Sequence, residues 1–365
     1  VSPLRSFSRS EGRRRRSAAC LALLALLLGG CSSLSYYAQS VRGHLGVAAA
    51  ARPLEDVMAD PATSDGVRRR LAELPALRRF AVEELALPDS DSYRRYADVR
   101  REALVWAVVA APSDSLEPRE WCYPIIGCAA YRGYFSVAAA DAYAATLRAA
   151  GWDVAVEPVP AYSTLGWFSD PLPSTVIGWP LPEIAALVFH ELAHEALYLP
   201  GDSAFNEAYA TLVAQEGVRR WLARHGDAAQ QAAWRRKQQK RRDFLALLAR
   251  TRARLAALYA SDLARERMRQ RKAEIFATLR DDYAALKRSW GGYDGYERWF
   301  ARPLNNAHVA SIGTYHGLEP AFRRLLQHSG GDMAAFHAAC RDLAALSEDE
   351  RAAALHGLLG AAPAG

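Results

Sequence analysis

Chemistry in this chain concentrates in five residues, His190-Glu191-Leu192-Ala193-His194. Two histidines four apart on a helix sit one turn from each other on the same face, so both rings can close on one ion. Neutral imidazole suits Zn²⁺, and a glutamate beside the first ligand is placed to serve as a carboxylate base toward water. Chance yields such a motif in roughly one chain in a hundred of this composition. The uncharged neighbours Leu187, Val188 and Phe189 fit a buried helix. Glu195, directly after the motif, is expected to face solvent.

A catalytic zinc needs a third protein ligand and an open fourth position. A helix running on from His194 to Leu199 climbs about 7.5 Å. Pro200-Gly201-Asp202 then turns the chain, and Asp202 or Ser203 can cap the next helix. Five residues further down, an antiparallel partner places Glu207 level with His194. Glu216, about 13 Å further along, is out of reach. The expected centre is therefore one Zn²⁺ held by His190, His194 and Glu207. Glu191 would take a proton from the zinc-activated water and pass it to the leaving amine. That is the chemistry of a zinc-dependent peptide hydrolase. Donors for the oxyanion are sought in Asn305-Asn306-Ala307-His308 and Thr314-Tyr315-His316. Tyr315 and His316 are favoured as further catalytic residues, and caps or core polar groups are the alternative.

The elements that must hold these groups follow from periodicity and punctuation. Residues 36–60 and 64–87 read as helices broken at Asp60-Pro61, with Thr63, Ser64 and Asp65 as possible caps. The apolar run 103–111 suits a buried strand, 137–150 a helix ending on Gly151, and Trp152–Val159 a second strand. Residues 162–170 are expected to be extended, either as an edge that a substrate could join or as a plain loop. Helices are expected over 182–199 and 203–224. After Gly226, and to about 289, the chain lacks Pro and Gly, which predicts helices at 227–258 and 261–289 forming a protruding antiparallel hairpin closed by Gly291-Gly292. Its basic runs Arg235-Arg236-Lys237 and Lys240-Arg241-Arg242 read as a solvated face or, less simply, a surface for an anionic partner. The tail 318–357 reads as helix. The class is α+β, predominantly helical, with a small mixed sheet packed on helices.

Hydrophobic residues make up 51% and charged residues 24% of the 365, an ordinary globular composition. The net charge is +6, of which six arginines and one acid in residues 1–30 supply +5, leaving +1 elsewhere. A near-neutral body gives no case for nucleic acid. Those thirty residues have the pattern of a secretory leader: the basic Arg13–Arg16, an apolar stretch to Leu28, then Gly29-Gly30-Cys31. Cys31 is expected to be the lipidated first residue of the mature chain, with a plain signal peptide or an uncleaved anchor as alternatives. Ser32 favours the outer membrane, facing the periplasm. In that oxidising compartment a Cys122–Cys128 disulfide is expected, against two reduced buried thiols. Cys340 is expected to be a buried free thiol. The segments are then a leader at 1–30, an N-terminal helical part at 31–100, a catalytic α+β part at 101–225, the hairpin at 226–290 and a C-terminal helical part at 291–365 that completes the active site.

Together these stretches resemble the bacterial lipoproteins described as predicted zinc aminopeptidases. The resemblance rests on Trp121-Cys122-Tyr123-Pro124-Ile125 with Gly127-Cys128, on Tyr131–Phe135 and Ala161–Phe168, and on His190–His194. Gly201–Glu207 and Leu304–His308 complete it. It implies a zincin-like metallopeptidase core, a peptide substrate and membrane attachment through Cys31. Asn206-Glu207-Ala208-Tyr209-Ala210 has the Asn-Glu-x-x-Ala form of zinc peptidases whose third ligand is glutamate. An aminopeptidase also needs an anion for the substrate α-amine, and Asp170 is one possibility. The competing expectation is a non-catalytic envelope lipoprotein that binds or scaffolds through its helical hairpin.

Overall fold

The computed structural model describes residues 35–123, 127–310 and 317–360. Cys31, the leader, Tyr315 and His316 lie outside the described residues. The chain divides into one unit ending at Ala49 and another beginning at Ala50. The described part of the first is helical: α1 covers residues 35–50. Tyr37, Val41 and Leu45, four apart along it, are exposed. The helix expected over 36–60 is interrupted by β1 (Ala51–Pro53) before α2 (Leu54–Ala59). Proline at 53 disfavours a helical Arg52, and the extended residues instead pair with β2 (Arg95–Ala97). Between them α3 (Asp65–Leu85) starts on Ser64, whose hydroxyl accepts from the Val67 N–H, and ends on Ala86 at φ 52°.

The main sheet is built on β3 (Val105–Pro112), a run of β-branched and small apolar residues. A short hairpin of β4 (Trp121–Tyr123) and β5 (Gly127–Ala129) precedes β6 (Arg132–Tyr134), α4 (Val137–Ala149) and β7 (Trp152–Val159). The order β6-β3-β7 is antiparallel throughout, with Val105 opposite Val159 and Ala107 opposite Glu157. Alternation along the strands sends Ala107, Val109, Ala155, Glu157 and Val159 to one face. α4 buries Ala140, Ala144 and Leu147 and packs against β3 and β7. A second small sheet joins β1, β2 and β8 (Leu172–Pro173), the last pair being parallel.

The rest is helical: α5 (Leu181–Ala196), α6 (Ser203–His225), α7 (Ala228–Tyr259) and α8 (Arg265–Ser289), then α9 (Glu297–Phe300) and α10 (residues 306–310). α11 (Glu319–His328), α12 (Met333–Ala345) and α13 (Glu348–Gly360) form the tail. No described helix is long and apolar enough to cross a membrane. α3, α5 and α6 share the largest core with α11 and α12, around Phe189, Phe205, Tyr209, Phe322 and Phe336. Each such side chain, buried, contributes about 1.5–3 kcal/mol. Gly217 on α6 lets Phe189 of α5 approach closely, because a Cβ there would lie 2.6 Å from that ring.

The α7–α8 hairpin has the expected helices, and Gly291 (φ 69°) and Gly292 (φ 85°) close it. It does not protrude. Its inner face carries a second core of Phe244, Leu247, Leu255, Phe276 and Leu279, onto which Leu116 and Leu304 pack. Lys272 pairs with Asp153 of β7, and Arg252 donates to the Leu116 carbonyl. The segments expected at 31–100, 101–225, 226–290 and 291–365 are taken up, from Ala50 on, in one compact unit.

Candidate active site

Pro182 sits in the first turn of α5, where a missing N–H costs nothing, and the helix then exposes one polar stripe to its partner. His190 and His194 lie one turn apart on that stripe, their rings edge-on with centroids 4.7 Å apart and their Nε2 atoms 3.1 Å apart. Glu207 comes from α6. Its Oε2 is 3.4 Å from His190 Nε2 and its Oε1 is 3.7 Å from His194 Nε2. The donor atoms of the three residues all lie within 4.8 Å of one another. Tetrahedral zinc, with donors at about 2.0–2.1 Å, needs them roughly 3.3 Å apart, so two imidazoles and one carboxylate in this arrangement fit the ion. The triad is typical of zincin metallopeptidases.

The path from His194 to Glu207 differs from the expected one. α5 stops at Ala196 rather than Leu199, and Leu197 is extended. Asn206 then fixes the connection: the Leu199 N–H donates to its Oδ1 and its Nδ2 donates to the Leu199 carbonyl, both at 2.8 Å. Asp202 caps α6 by accepting from the Phe205 N–H, and it pairs with Arg351. The shorter helix and the clamped loop together bring Glu207 to the same height. The first residue of β5 packs on that loop, since a Cβ on Gly127 (φ 76°) would lie 3.1 Å from the Gly201 nitrogen. Cys122 and Cys128 face each other across the hairpin and form a disulfide, while Cys340 is a buried free thiol.

Burial dominates the electrostatics. It pushes the Glu191 carboxyl up to about 7; His190 opposes this, and Glu207, Asp170 and Glu195 add to it. It pushes His194 down to about 4, with His190 in the same direction and Glu207 against. For His190 burial also pulls downward, but Glu207 and Glu191 outweigh it and the net shift is up. Glu195 does not face solvent as expected. Its carboxylate lies beneath Gly166, and Oε1 is buried without a hydrogen-bond donor among the described residues.

The triad and Glu191 open onto a cleft of about 730 Å³. Its far wall is the sheet face carrying Ala107, Val109, Glu157 and Val159. Residues 161–168 form a third wall as a tight turn rather than an extended edge, with Leu165 at φ 58° and Gly166 at φ 77°. Asp170 holds that turn by accepting from the Thr164 N–H (2.7 Å) and Oγ1 (3.0 Å). Burial raises its carboxyl to about 6, against those two hydrogen bonds and with Glu195 adding to the rise. Its oxygens are engaged inside its own loop, so Asp170 is not placed to receive a substrate amine. Trp167 and Phe168 at the tip of the turn are 69% and 60% exposed, unusual for rings of this size.

The other sequence candidates divide. Asn306 is fully buried and bridges elements: it donates to the Pro112 and Ser115 carbonyls and accepts from Tyr259. Asn305 donates to the Val154 carbonyl, and His308 Nδ1 lies 3.0 Å from Asn305 Oδ1. These residues tie the sheet to the hairpin and do not line the cleft. Tyr315 and His316 are outside the described residues. Sequence reading missed Tyr198, a half-buried phenol whose ring lies edge-on to His194. It stands four residues after His194, the spacing of His190 and His194 themselves. It also missed Glu157, whose only signal is an acid on the inward face of β7. A smaller cavity of about 290 Å³ lies behind His190, walled partly by Trp234, Lys237 and Arg241 of α7. There Lys237 pairs with Glu183 and Arg241 with Glu319, so part of the basic run is structural.

A family model described as "Putative aminopeptidase" matches residues 35–355. No curated protein and no solved structure matches the chain. The chain belongs to that family.

Proposed function

We propose that the protein is a zinc-dependent aminopeptidase of the bacterial cell envelope, anchored by lipid on Cys31 to the outer membrane and facing the periplasm. The observation that carries the enzymatic part is the convergence of His190, His194 and Glu207 beside the buried Glu191 in a single cleft. The envelope assignment is supported by the leader pattern and by the Cys122–Cys128 disulfide, a bond that persists in oxidising compartments.

Zinc held by the three ligands would supply a Lewis acid that polarises a peptide carbonyl and acidifies a water. Glu191 is the base. It accepts the water proton and returns it to the leaving amine, and a carboxyl raised by burial is suited to both directions near neutral pH. His194, held neutral, keeps its lone pair for the metal. Tyr198 offers its phenol to the developing oxyanion from beside His194, and Tyr315 and His316 remain proposed for the same task. The sheet wall and the 161–168 turn confine the peptide and exclude water from the reacting carbonyl.

The decisive experiment expresses residues 32–365, measures zinc per chain, and assays aminoacyl and internally quenched peptides beside Glu191→Gln. Zinc near one per chain with cleavage lost in the variant is expected. Failure of zinc-loaded protein to cleave any peptide across a broad panel would sink the enzymatic reading.

A further inference from the structure

The cleft carries three carboxylates on two facing walls. Glu191 and Glu207 stand on the helical side, one as base and one as ligand, which leaves Glu157 on β7 with no part in the metal centre. Among the described residues lining the cleft none is a lysine or arginine. Glu207 and Glu191 answer the metal charge, so Glu157 is the acid of this lining available to an ammonium group.

Glu157 is only half satisfied. Arg302, which also donates to the Val156 carbonyl, is bonded to Oε2. Oε1 is buried and has no hydrogen-bond donor among the described residues. The nearest ring nitrogen, His308 Nε2, is 3.8 Å away, beyond a hydrogen bond. Burial first, then Arg302, drives His308 down to about 4, so it carries no charge that would neutralise the acid at neutral pH. A carboxylate oxygen lacking a donor is costly; the side chain is 30% exposed and lines the cleft, so a turn of the carboxylate presents an oxygen to an arriving N–H⁺.

Its surroundings say what should accompany that ammonium. The cross-strand neighbour of Glu157 is Ala107, which takes little space beside the carboxylate. Val109 and Val159 continue the same face, and Leu165, Trp167 and Phe168 stand on the facing turn. The two exposed rings gain burial only when something apolar enters.

We propose that Glu157 receives the free α-ammonium of the substrate, and that the cleft selects peptides whose first residue is apolar or aromatic. This rests on the peptidase reading above and adds the direction in which the peptide lies. The amine sits against the sheet wall, the first side chain under Trp167 and Phe168, and the first peptide bond faces the triad. Glu157 is a binding and positioning residue, so its loss appears in KM more than in kcat.

The test uses zinc-loaded protein and two peptides differing at one nitrogen, Phe-Ala-Ala-amide and its N-acetyl form. The free peptide should show kcat/KM at least about a hundredfold higher. Glu157→Gln should remove most of that preference, raising KM for the free peptide about tenfold or more with the acetylated peptide unchanged. Glu157→Asp keeps the charge and should recover part of the loss, while zinc content and thermal melting show that each variant folds. Calorimetry in the Glu191→Gln background separates binding from turnover: phenylalaninamide should bind at least about tenfold more tightly than N-acetylphenylalaninamide, and only when Glu157 is present. Equal binding of the two amides, or a preference that survives Glu157→Gln, overturns the inference. Cleavage of both peptides alike overturns it too and leaves the peptidase reading intact. An amine preference that depends on Glu157 in a protein that cleaves no peptide supports the inference and removes that reading.

Discussion

Two histidine–glutamate groups invite comparison, one at the cleft's helical wall and one at its sheet wall. In the first, His190, His194 and Glu207 turn three donor atoms toward one point, and Glu191 beside them is charged only at the expense of its burial. In the second, His308 has its Nδ1 occupied by Asn305, and Glu157 is bound to Arg302. Residue type is the same and competence differs. A histidine becomes a ligand when its ring nitrogen faces a carboxylate with no cation between them. It becomes a strut when a neighbouring amide has taken that nitrogen. The first group can admit a dication, whereas in the second Arg302 already holds one of the two carboxylate oxygens.

The sharpest way to break the contrast is to exchange the fates of the two glutamates. Glu207→Ala is expected to weaken zinc binding by at least about a thousandfold, while Glu157→Ala leaves one zinc per chain. Metal content after dialysis against a graded chelator reads both, and zinc retained without Glu207 would place the ligand elsewhere. Glu191→Gln should lower kcat by about 10²–10⁴ with zinc still bound, measured by single-turnover kinetics beside metal analysis. For the strut, His308→Ala should cost about 1–3 kcal/mol of stability in urea unfolding and leave zinc stoichiometry unchanged.

Asp170 sharpens the comparison further, being a buried acid with donors and no cation. Its folded pKa, near 6, lies above its unfolded value, so the folded state binds the proton more tightly. Its contribution to stability is therefore fully present below about pH 4 and is lost as pH rises through 6, by roughly 1–3 kcal/mol. Thermal melting of the metal-free protein between pH 4 and 7 should show that decline, and Asp170→Asn should flatten it. An unchanged slope in the variant would assign the titration to another group.

The residues of the triad were legible in the sequence because their chemistry is local. Four-residue spacing fixes His190 and His194, and a turn of known length returns the chain to Glu207. The arithmetic reached the right glutamate by a different path, since α5 ends three residues early and Asn206 takes up the difference. Strands β3 and β7 were legible from their apolar runs, as were the hairpin helices and the Gly291-Gly292 stop. What sequence did not yield is whatever depends on contact between distant segments. Glu195 reads as a surface charge until the turn at Gly166 is seen to cover it. The basic residues of α7 read as solvated until Glu183 and Glu319 arrive from other helices. Glu157 reads as an ordinary strand acid until its opposite wall is known to hold the metal ligands. Pro53 is a local signal of the break in the first expected helix, since proline disfavours a helical residue before it, and the pairing with β2 completes the cause.

The contact between Gly127 and Gly201 has a consequence for how this protein can change. The two backbones lie so close that a Cβ on Gly127 would require the turn to give by a few tenths of an ångström, and one belongs to the disulfide-closed hairpin while the other turns the chain between the helices that carry the triad. Substituting the first would push the second, and with it the spacing between His194 and Glu207. A side chain at 127 is thus felt at the turn 200–202 and, through it, at the height of Glu207.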